Sequence, residues 1–210
     1  DNPGKLGNFA WSPDGTRIAY NAAKEQNDHA ESQVFVVAAS GGEAKNLTEP
    51  NFRGHVNWVG WKDKGTIVYR AAEGAYPTLS TVSAAGGKRA IVLDAKAAGV
   101  IFDVPSFTKD FRNFAFSASA PAVPGDLYFW TAGTKEPTRL TTLNPWVAER
   151  ALGTQKVIRY PARDGLEIEV LEAERRQHGE HGGVVGPRLL AARLHAAREV
   201  GVCELRKRLL

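Results

Sequence analysis

Apolar and polar positions alternate along most of the chain with the period of strands rather than helices. Phe9 to Trp11 is a short apolar run, Arg17 to Tyr20 alternates polar and apolar, and Gln33 to Ala38 is apolar and β-branched. Strict alternation marks a half-buried strand, and a short apolar run marks a strand buried on both faces. Pro13-Asp14-Gly15 lies between the first two runs. Pro sets φ for the second position of a tight turn and Gly accepts positive φ. Ser40-Gly41-Gly42 reads as a hairpin turn, followed by an outer strand over Glu43 to Thr48. The pattern therefore predicts four strands joined by short turns, with a polar insertion from Asn21 to Ser32 between the second and third.

This unit recurs. Trp11-Ser12-Pro13-Asp14-Gly15-Thr16-Arg17-Ile18-Ala19-Tyr20 returns as Trp61-Lys62-Asp63-Lys64-Gly65-Thr66-Ile67-Val68-Tyr69, and again, degraded, as Phe107 to Phe116. Gly41-Gly42 returns as Gly86-Gly87 and Gly133-Thr134. Leu47 returns as Leu93 and Leu140, with Thr after the first and last. Three landmarks in one order, 45 to 50 residues apart, at four strands per repeat, give the arithmetic of β-propeller blades. The expected fold is all-β: three four-stranded antiparallel blades of a partial propeller over residues 1–142. A linker and exit strand follow over 143–169, then a helical or disordered tail over 170–210.

Composition sets the tail apart. All 19 aromatic residues lie in 1–169, and residues 170–210 hold seven Leu and seven Arg but no Ile, Ser, Thr, Asn or Asp. The net charge of +4 divides into +1 before residue 170 and +3 after it. A nearly neutral body removes the electrostatic argument for nucleic acid, and no apolar run is long enough for a membrane-spanning helix. The single cysteine, Cys203, excludes an internal disulfide and leaves the compartment open, cytoplasmic or exported. The chain starts at Asp1 rather than Met, so upstream sequence, where a signal peptide would lie, is expected.

The repeat signature from Trp11 to Tyr20 resembles TolB-type blades. Phe114-Ala115-Phe116-Ser117-Ala118-Ser119-Ala120-Pro121-Ala122-Val123-Pro124-Gly125-Asp126-Leu127-Tyr128 resembles the last propeller blade of the prolyl oligopeptidase family, in its acylaminoacyl-peptidase-like and dipeptidyl-peptidase-like branches. Leu140-Thr141-Thr142-Leu143-Asn144-Pro145 is similar to that blade's exit. Arg163-Asp164-Gly165-Leu166-Glu167-Ile168-Glu169 is similar to the strand that enters the peptidase domain. The resemblance implies a propeller that restricts access of short peptides to an α/β-hydrolase domain carrying a Ser–Asp–His triad. It also departs from the family pattern. None of the eight serines, Ser12, Ser32, Ser40, Ser80, Ser83, Ser106, Ser117 and Ser119, stands in G-x-S-x-G. Forty-one residues after Glu169 are too few for a hydrolase domain. Val170-Leu171-Glu172-Ala173-Glu174-Arg175-Arg176 stands where the family has a Gly-initiated apolar strand. A shifted reading frame in GC-rich coding sequence accounts for the Arg, Ala, Gly, Leu and Val content, and a one-base correction near codon 169 is expected to restore the hydrolase strand.

Other candidate chemistry is thin. His178-Gly179-Glu180-His181 lacks the H-x-x-E-H spacing of a zinc site and reads as a solvated tail. His29 lies in the polar insertion, His55 precedes a strand, and Cys203 beside Glu204 has nothing to activate it. Arg139, Arg150, Arg159 and Arg163 are scattered, and the Gly-Gly pairs lack a phosphate-loop context. Pro187 to Glu199 has the composition of a propensity-driven basic helix. The sequence thus assigns no catalytic, cofactor-binding or metal-ligating residue. It points to a non-catalytic propeller portion of a serine peptidase, inactive alone, its peptide substrate reached through an absent hydrolase domain. A stand-alone TolB-type propeller binding protein is the other reading. Either way, the end blades of an open arc should present apolar faces through which copies associate.

Overall fold

The computed structural model describes residues 4–26 and 30–174. His29, His178, Glu180, His181, Cys203 and the helix expected over Pro187 to Glu199 lie outside the described residues. The repeat reading holds. Blade 1 comprises β1 (Leu6–Trp11), β2 (Arg17–Ala23), β3 (Ser32–Ala38) and β4 (Lys45–Asn46), hydrogen-bonded in that order. Blade 2 repeats the order with β5 (His55–Asp63), β6 (Thr66–Glu73), β7 (Tyr76–Ser83) and β8 (Ala90–Asp94). In blade 3 the inner strand comes in two pieces, β9 (Ile101–Phe102) and β10 (Ser106–Phe107), both antiparallel to β11 (Asn113–Ala120). The break falls at Val104-Pro105, where proline has no N–H to give the ladder. Then come β12 (Val123–Thr131) and β13 (Thr138–Arg139). All pairings within the blades are antiparallel. A one-turn helix, α1 (Ala95–Ala98), and a 3₁₀ turn (Pro145–Glu149) also interrupt the strands.

Register puts the repeat's first landmark in one place. Trp11 pairs with Ile18, Trp61 with Ile67, and Phe107 with Phe114. The polar insertion in blade 1 is shorter than its composition suggests. β2 continues through Asn21-Ala22-Ala23, all buried, so the loop spans only residues 24–31. Asn21 stays in the strand because its amide is bonded on three sides, described below.

The Pro-Asp-Gly turn is held by its aspartate. Asp14 Oδ1 accepts from the Ser12 hydroxyl at 2.6 Å, the Thr16 hydroxyl at 2.7 Å and the Thr16 N–H at 3.1 Å. Those hydroxyls and that N–H push its pKa down to about 2. Blade 3 keeps the device, with Asp110 accepting from the Thr108 hydroxyl and the Arg112 N–H. It changes the glycine. Gly15 sits at φ +68, and its counterpart Phe111 adopts φ +57, in the left-handed region that disfavours a Cβ. Phe111 is buried, edge-on to Phe107 and Phe114 with ring centroids 4.9 Å away in each case. Burial of the ring offsets a strain of about 1–2 kcal/mol. Phe111→Gly should therefore unfold at a higher denaturant concentration than Phe111→Ala, by about 1 kcal/mol in urea melts. Helix and strand interiors show the reverse order. An equal or lower midpoint for the glycine variant would mean the backbone is unstrained there.

The Leu-Thr landmark is a strand-closing device. In blade 1 the Thr48 hydroxyl accepts the Val34 N–H at 2.8 Å while the Leu47 N–H donates to the Val34 carbonyl at 2.8 Å. In blade 3 the Thr141 hydroxyl accepts the Leu127 N–H at 2.9 Å and the Leu140 N–H donates to the Leu127 carbonyl at 2.8 Å. Each lengthens a two-residue outer strand without further ladder. Blade 2 has Asp94 in place of Thr, and its carboxylate instead caps α1 through the Lys96 N–H.

Two cores lie between blades rather than within them. Ala19, Val34, Val36 and Leu47 of blade 1 meet Val56, Val59, Trp61, Ile67 and Tyr69 of blade 2. Val68, Leu79 and Leu93 of blade 2 meet Phe102, Phe114, Phe116, Tyr128 and Trp130 of blade 3. The central strands of blade 2 thus send residues alternately to blade 1, as with Ile67 and Tyr69, and to blade 3, as with Val68 and Leu79.

Candidate functional site

Polar groups at fixed repeat positions tie each blade to the next. Asn21 lies opposite Val34 and Arg70 opposite Leu79, so the two are equivalent. Asn21 Nδ2 donates to the Val56 carbonyl at 3.0 Å and to the Ser32 hydroxyl at 2.9 Å, and its Oδ1 accepts the Asn8 N–H at 2.9 Å. Arg70 donates from Nε at 3.0 Å and from a terminal nitrogen at 2.6 Å to the Phe102 carbonyl, with its guanidinium over the Phe102 ring. Val56 and Phe102 are themselves equivalent, each five residues before the landmark aromatic. Inner strands are joined too. The Asn8 amide exchanges two 3.0 Å bonds with the backbone of Val59, and Trp61 Nε1 donates to the Ala10 carbonyl at 2.9 Å. These bonds satisfy inner-edge backbone groups that would otherwise be buried unpaired.

The ends of the arc expose what its middle buries. Trp61 is 9% exposed against blade 1, whereas its equivalent Trp11 is 57% exposed. Leu47 and Leu93 are 5% and 4% exposed against the following blade, whereas Leu140 is 55% exposed. Phe9, equivalent to buried Val59, and Leu127, equivalent to buried Val34 and Leu79, are exposed as well. On blade 1 the outward face carries two rows across the strands, Phe9–Tyr20–Phe35 and Trp11–Ile18–Val37. Tyr20 and Phe35 stack at 5.4 Å.

The exit segment forms a hairpin, β14 (Thr154–Pro161) and β15 (Glu167–Glu174), paired at eight positions. β15 runs across the compositional boundary at residue 170, and Val170 is buried. The hairpin is latched to blade 2. Glu169 Oε2 accepts the Ala75 N–H at 2.9 Å, in the turn between β6 and β7, and its other oxygen accepts from Arg159. The Ala75 N–H and Arg159 hold the Glu169 carboxyl below its usual pKa. A Cβ at residue 74 would lie 2.1 Å from Glu169 Oε2, so only Gly74, at φ +65, admits the carboxylate. Before the hairpin, buried Asp126 gathers the blade's exit. It accepts from the Leu143 N–H at 2.9 Å and the Thr141 hydroxyl at 2.8 Å and pairs with Arg139 at 2.5 Å. The Leu143 N–H first, then Thr141 and Arg139, draw its pKa down against desolvation.

Sequence candidates fall into structural places. Ser32 and His55 are adjacent, but the His55 Nδ1 accepts the Ser32 backbone N–H at 3.3 Å, and the Ser32 hydroxyl is held by Asn21. That arrangement bridges blades rather than activating a nucleophile. Arg159 pairs with Glu167 and Glu169, Arg139 with Asp126, and the Arg150 guanidinium lies over the Trp146 ring. The Gly41-Gly42 and Gly86-Gly87 pairs occupy positive φ in the turns after β3 and β7. Among the described residues no three His, Cys, Asp or Glu side chains are placed to hold a metal ion, and no helix is long and apolar enough to cross a membrane. A groove of about 560 Å³ runs between the outer edges of blades 1 and 2, lined by Lys45, Thr48, Glu49, Gly86 and Lys88.

No protein-family model matches the sequence, and no curated protein matches it. Solved structures do. The chain is similar to a variant of the AtxE2 isopeptidase with Astexin3-dC4 bound, at 13% identity and a TM-score of 0.61 over 82% of this chain and 26% of that one. It is similar to the acylaminoacyl peptidase of Pyrococcus horikoshii at 14% identity and a TM-score of 0.57, over 79% of this chain and 24% of that one. A TolB protein from Agrobacterium tumefaciens aligns at 16% identity and a TM-score of 0.50, over 84% of this chain and 57% of that one. The chain thus spans about a quarter of each peptidase. At these identities the likeness shows the fold: consecutive blades of a propeller of the kind found in peptidases of this type and in TolB.

Proposed function

We propose that the chain is the access-restricting propeller portion of a serine peptidase of the prolyl oligopeptidase type. Its substrates are short peptides, reached through an α/β-hydrolase domain that lies outside these 210 residues. One observation carries the reading. After the blade closes at Asp126, the chain continues as a hairpin latched by Glu169 to the blade 2 turn. A propeller that only binds a partner has no use for an element held in place after its last blade. The likeness to peptidases over about four-fifths of this chain agrees with that use.

A stand-alone binding propeller is the second reading, supported by the TolB likeness over 57% of that chain. A fluorophosphonate probe separates the two. The protein from its native source should be labelled at a serine outside residues 1–169 and should cleave a short peptide but not the same sequence inside a folded protein. An unlabelled native product would overturn the peptidase reading. The isolated 210-residue chain should neither take the label nor turn over aminoacyl chromogenic substrates, because none of its serines stands in G-x-S-x-G.

A further inference from the structure

We propose that Glu169 is a positioning residue for substrate size. By seating its carboxylate in the Gly74-Ala75 turn it holds the exit hairpin, and the domain that the hairpin leads to, against the propeller, and so limits the opening through which substrate enters. The inference rests on the peptidase reading and names the contact that sets its size limit. The hairpin stands apart from the blades. It is a two-stranded sheet of its own, paired with no blade strand. No residue of β14 is buried, and among the described side chains of β15 only Val170 is. A lone two-stranded hairpin is marginally stable in water. This one is attached to two different blades. The backbone ties it to blade 3 through the segment that begins at Leu143, whose N–H Asp126 grips. Glu169 ties it to blade 2. With one attachment the hairpin can swing, and with two on different blades its direction is fixed. Elements of low local stability are the ones that open, so the second attachment governs how often this one does.

The seat is built for a carboxylate. Oε2 accepts the Ala75 N–H at 2.9 Å, and Oε1 accepts Arg159 Nε at 2.8 Å from the position directly across the hairpin. Gly74 leaves the space. A Cβ there would lie 2.1 Å from Oε2 and 2.9 Å from Cδ of Glu169. The turn itself is held from its other side, where Glu73 accepts from both terminal nitrogens of Arg89 and from the Thr78 hydroxyl. β6 and β8 both run antiparallel to β7, so the turn and α1 share one end of blade 2. Lys96 of α1 adds a positive charge on Glu169's side. A hydrogen bond to a charged group is the stronger kind, and this one spans the two elements whose separation sets the opening.

Hydrogen exchange on the 210-residue chain reads the latch without reference to activity. Glu169→Ala should speed exchange of the Ala75 amide and of the β14 and β15 ladder amides by about 10-fold or more, the scale of a hydrogen bond to a charged group, and leave β2 and β11 amides unchanged. Gly74→Ala should do the same, because its methyl group takes the place of Oε2. Glu169→Gln keeps an oxygen for the Ala75 N–H and should restore part of the protection. In the full-length peptidase the same loss should raise the population of the open arrangement by the same factor. Glu169→Ala should then keep the parent kcat on a short peptide. Its rate on a long unfolded polypeptide, relative to the short peptide, should rise about 10-fold, with Glu169→Gln in between. Hairpin amides that stay protected in Glu169→Ala, or a labelled enzyme whose size ratio does not change, would overturn the proposal. A full-length protein that takes no fluorophosphonate label would sink the peptidase reading and size selection with it, while hairpin exchange would still decide whether Glu169 holds the hairpin.

Discussion

Phe114→Ala should cost about 3–5 kcal/mol of folding free energy, the range for removing a fully buried phenylalanine ring. Phe114 is 0% exposed, pairs across strands with both Phe107 and Trp130, and packs against Phe111 at 4.9 Å and Trp130 at 5.2 Å. The loss should be uneven along the chain. The core that holds Phe114 joins blade 3 to blade 2, and the core between blades 1 and 2 shares none of its residues. Stacked repeats are stable through nearest-neighbour interfaces and can open in parts. Hydrogen exchange should accordingly show β11 and β12 amides losing protection strongly while β2 and β3 amides lose little. Equal loss in both blades would mean that the arc unfolds as one unit, and a cost below about 1 kcal/mol would mean that the aromatic cluster repacks around the cavity.

The blades were legible because a propeller repeats its backbone geometry, and geometry constrains residue type at turns and core positions. Trp11, Trp61 and Phe107 could be aligned by spacing alone, and their register bears that out. The Leu-Thr landmark is visible as a recurrence, but its cause, a hydroxyl that ends the outer ladder, depends on the Val34 and Leu127 N–H groups of a neighbouring strand that spacing does not reveal. The inter-blade tethers were hidden for a different reason. Asn21 and Arg70 share a position and a target but no side-chain chemistry, and Asn21 reads as part of a polar insertion. Phe111 concealed its turn because a large apolar residue stands where left-handed backbone normally takes glycine. The latch was hidden by distance, since Glu169 and its backbone donor lie 94 residues apart. β15 crosses residue 170 because pairing needs backbone and a few apolar faces, such as Val170 opposite Ile158, and is indifferent to the composition change there.

A single-atom change in the first tether should reverse the pH dependence of stability. Asn21→Asp keeps the shape of the side chain and the acceptor for the Asn8 N–H, but replaces the amide nitrogen that donates to the Val56 carbonyl and the Ser32 hydroxyl. The Ser32 hydroxyl can rotate to donate, but the Val56 carbonyl cannot. A carboxylate at this buried position would face that carbonyl oxygen without a donor between them. Burial and the facing oxygen both disfavour its charged form, so its folded pKa should rise above the unfolded value of about 3.9. A raised pKa places the stable, protonated form at low pH, and stability is lost as pH climbs through the folded pKa. At neutral pH the variant should be less stable than the parent by about 3–5 kcal/mol, the cost of an uncompensated buried charge. Below pH 4 the protonated carboxyl can donate to Val56, and most of that loss should disappear. Urea melts of parent and variant at pH 3.5 and pH 7 measure both ends. A difference that is the same at both pH values would mean that Asn21 reaches solvent and that blades 1 and 2 hold together without it.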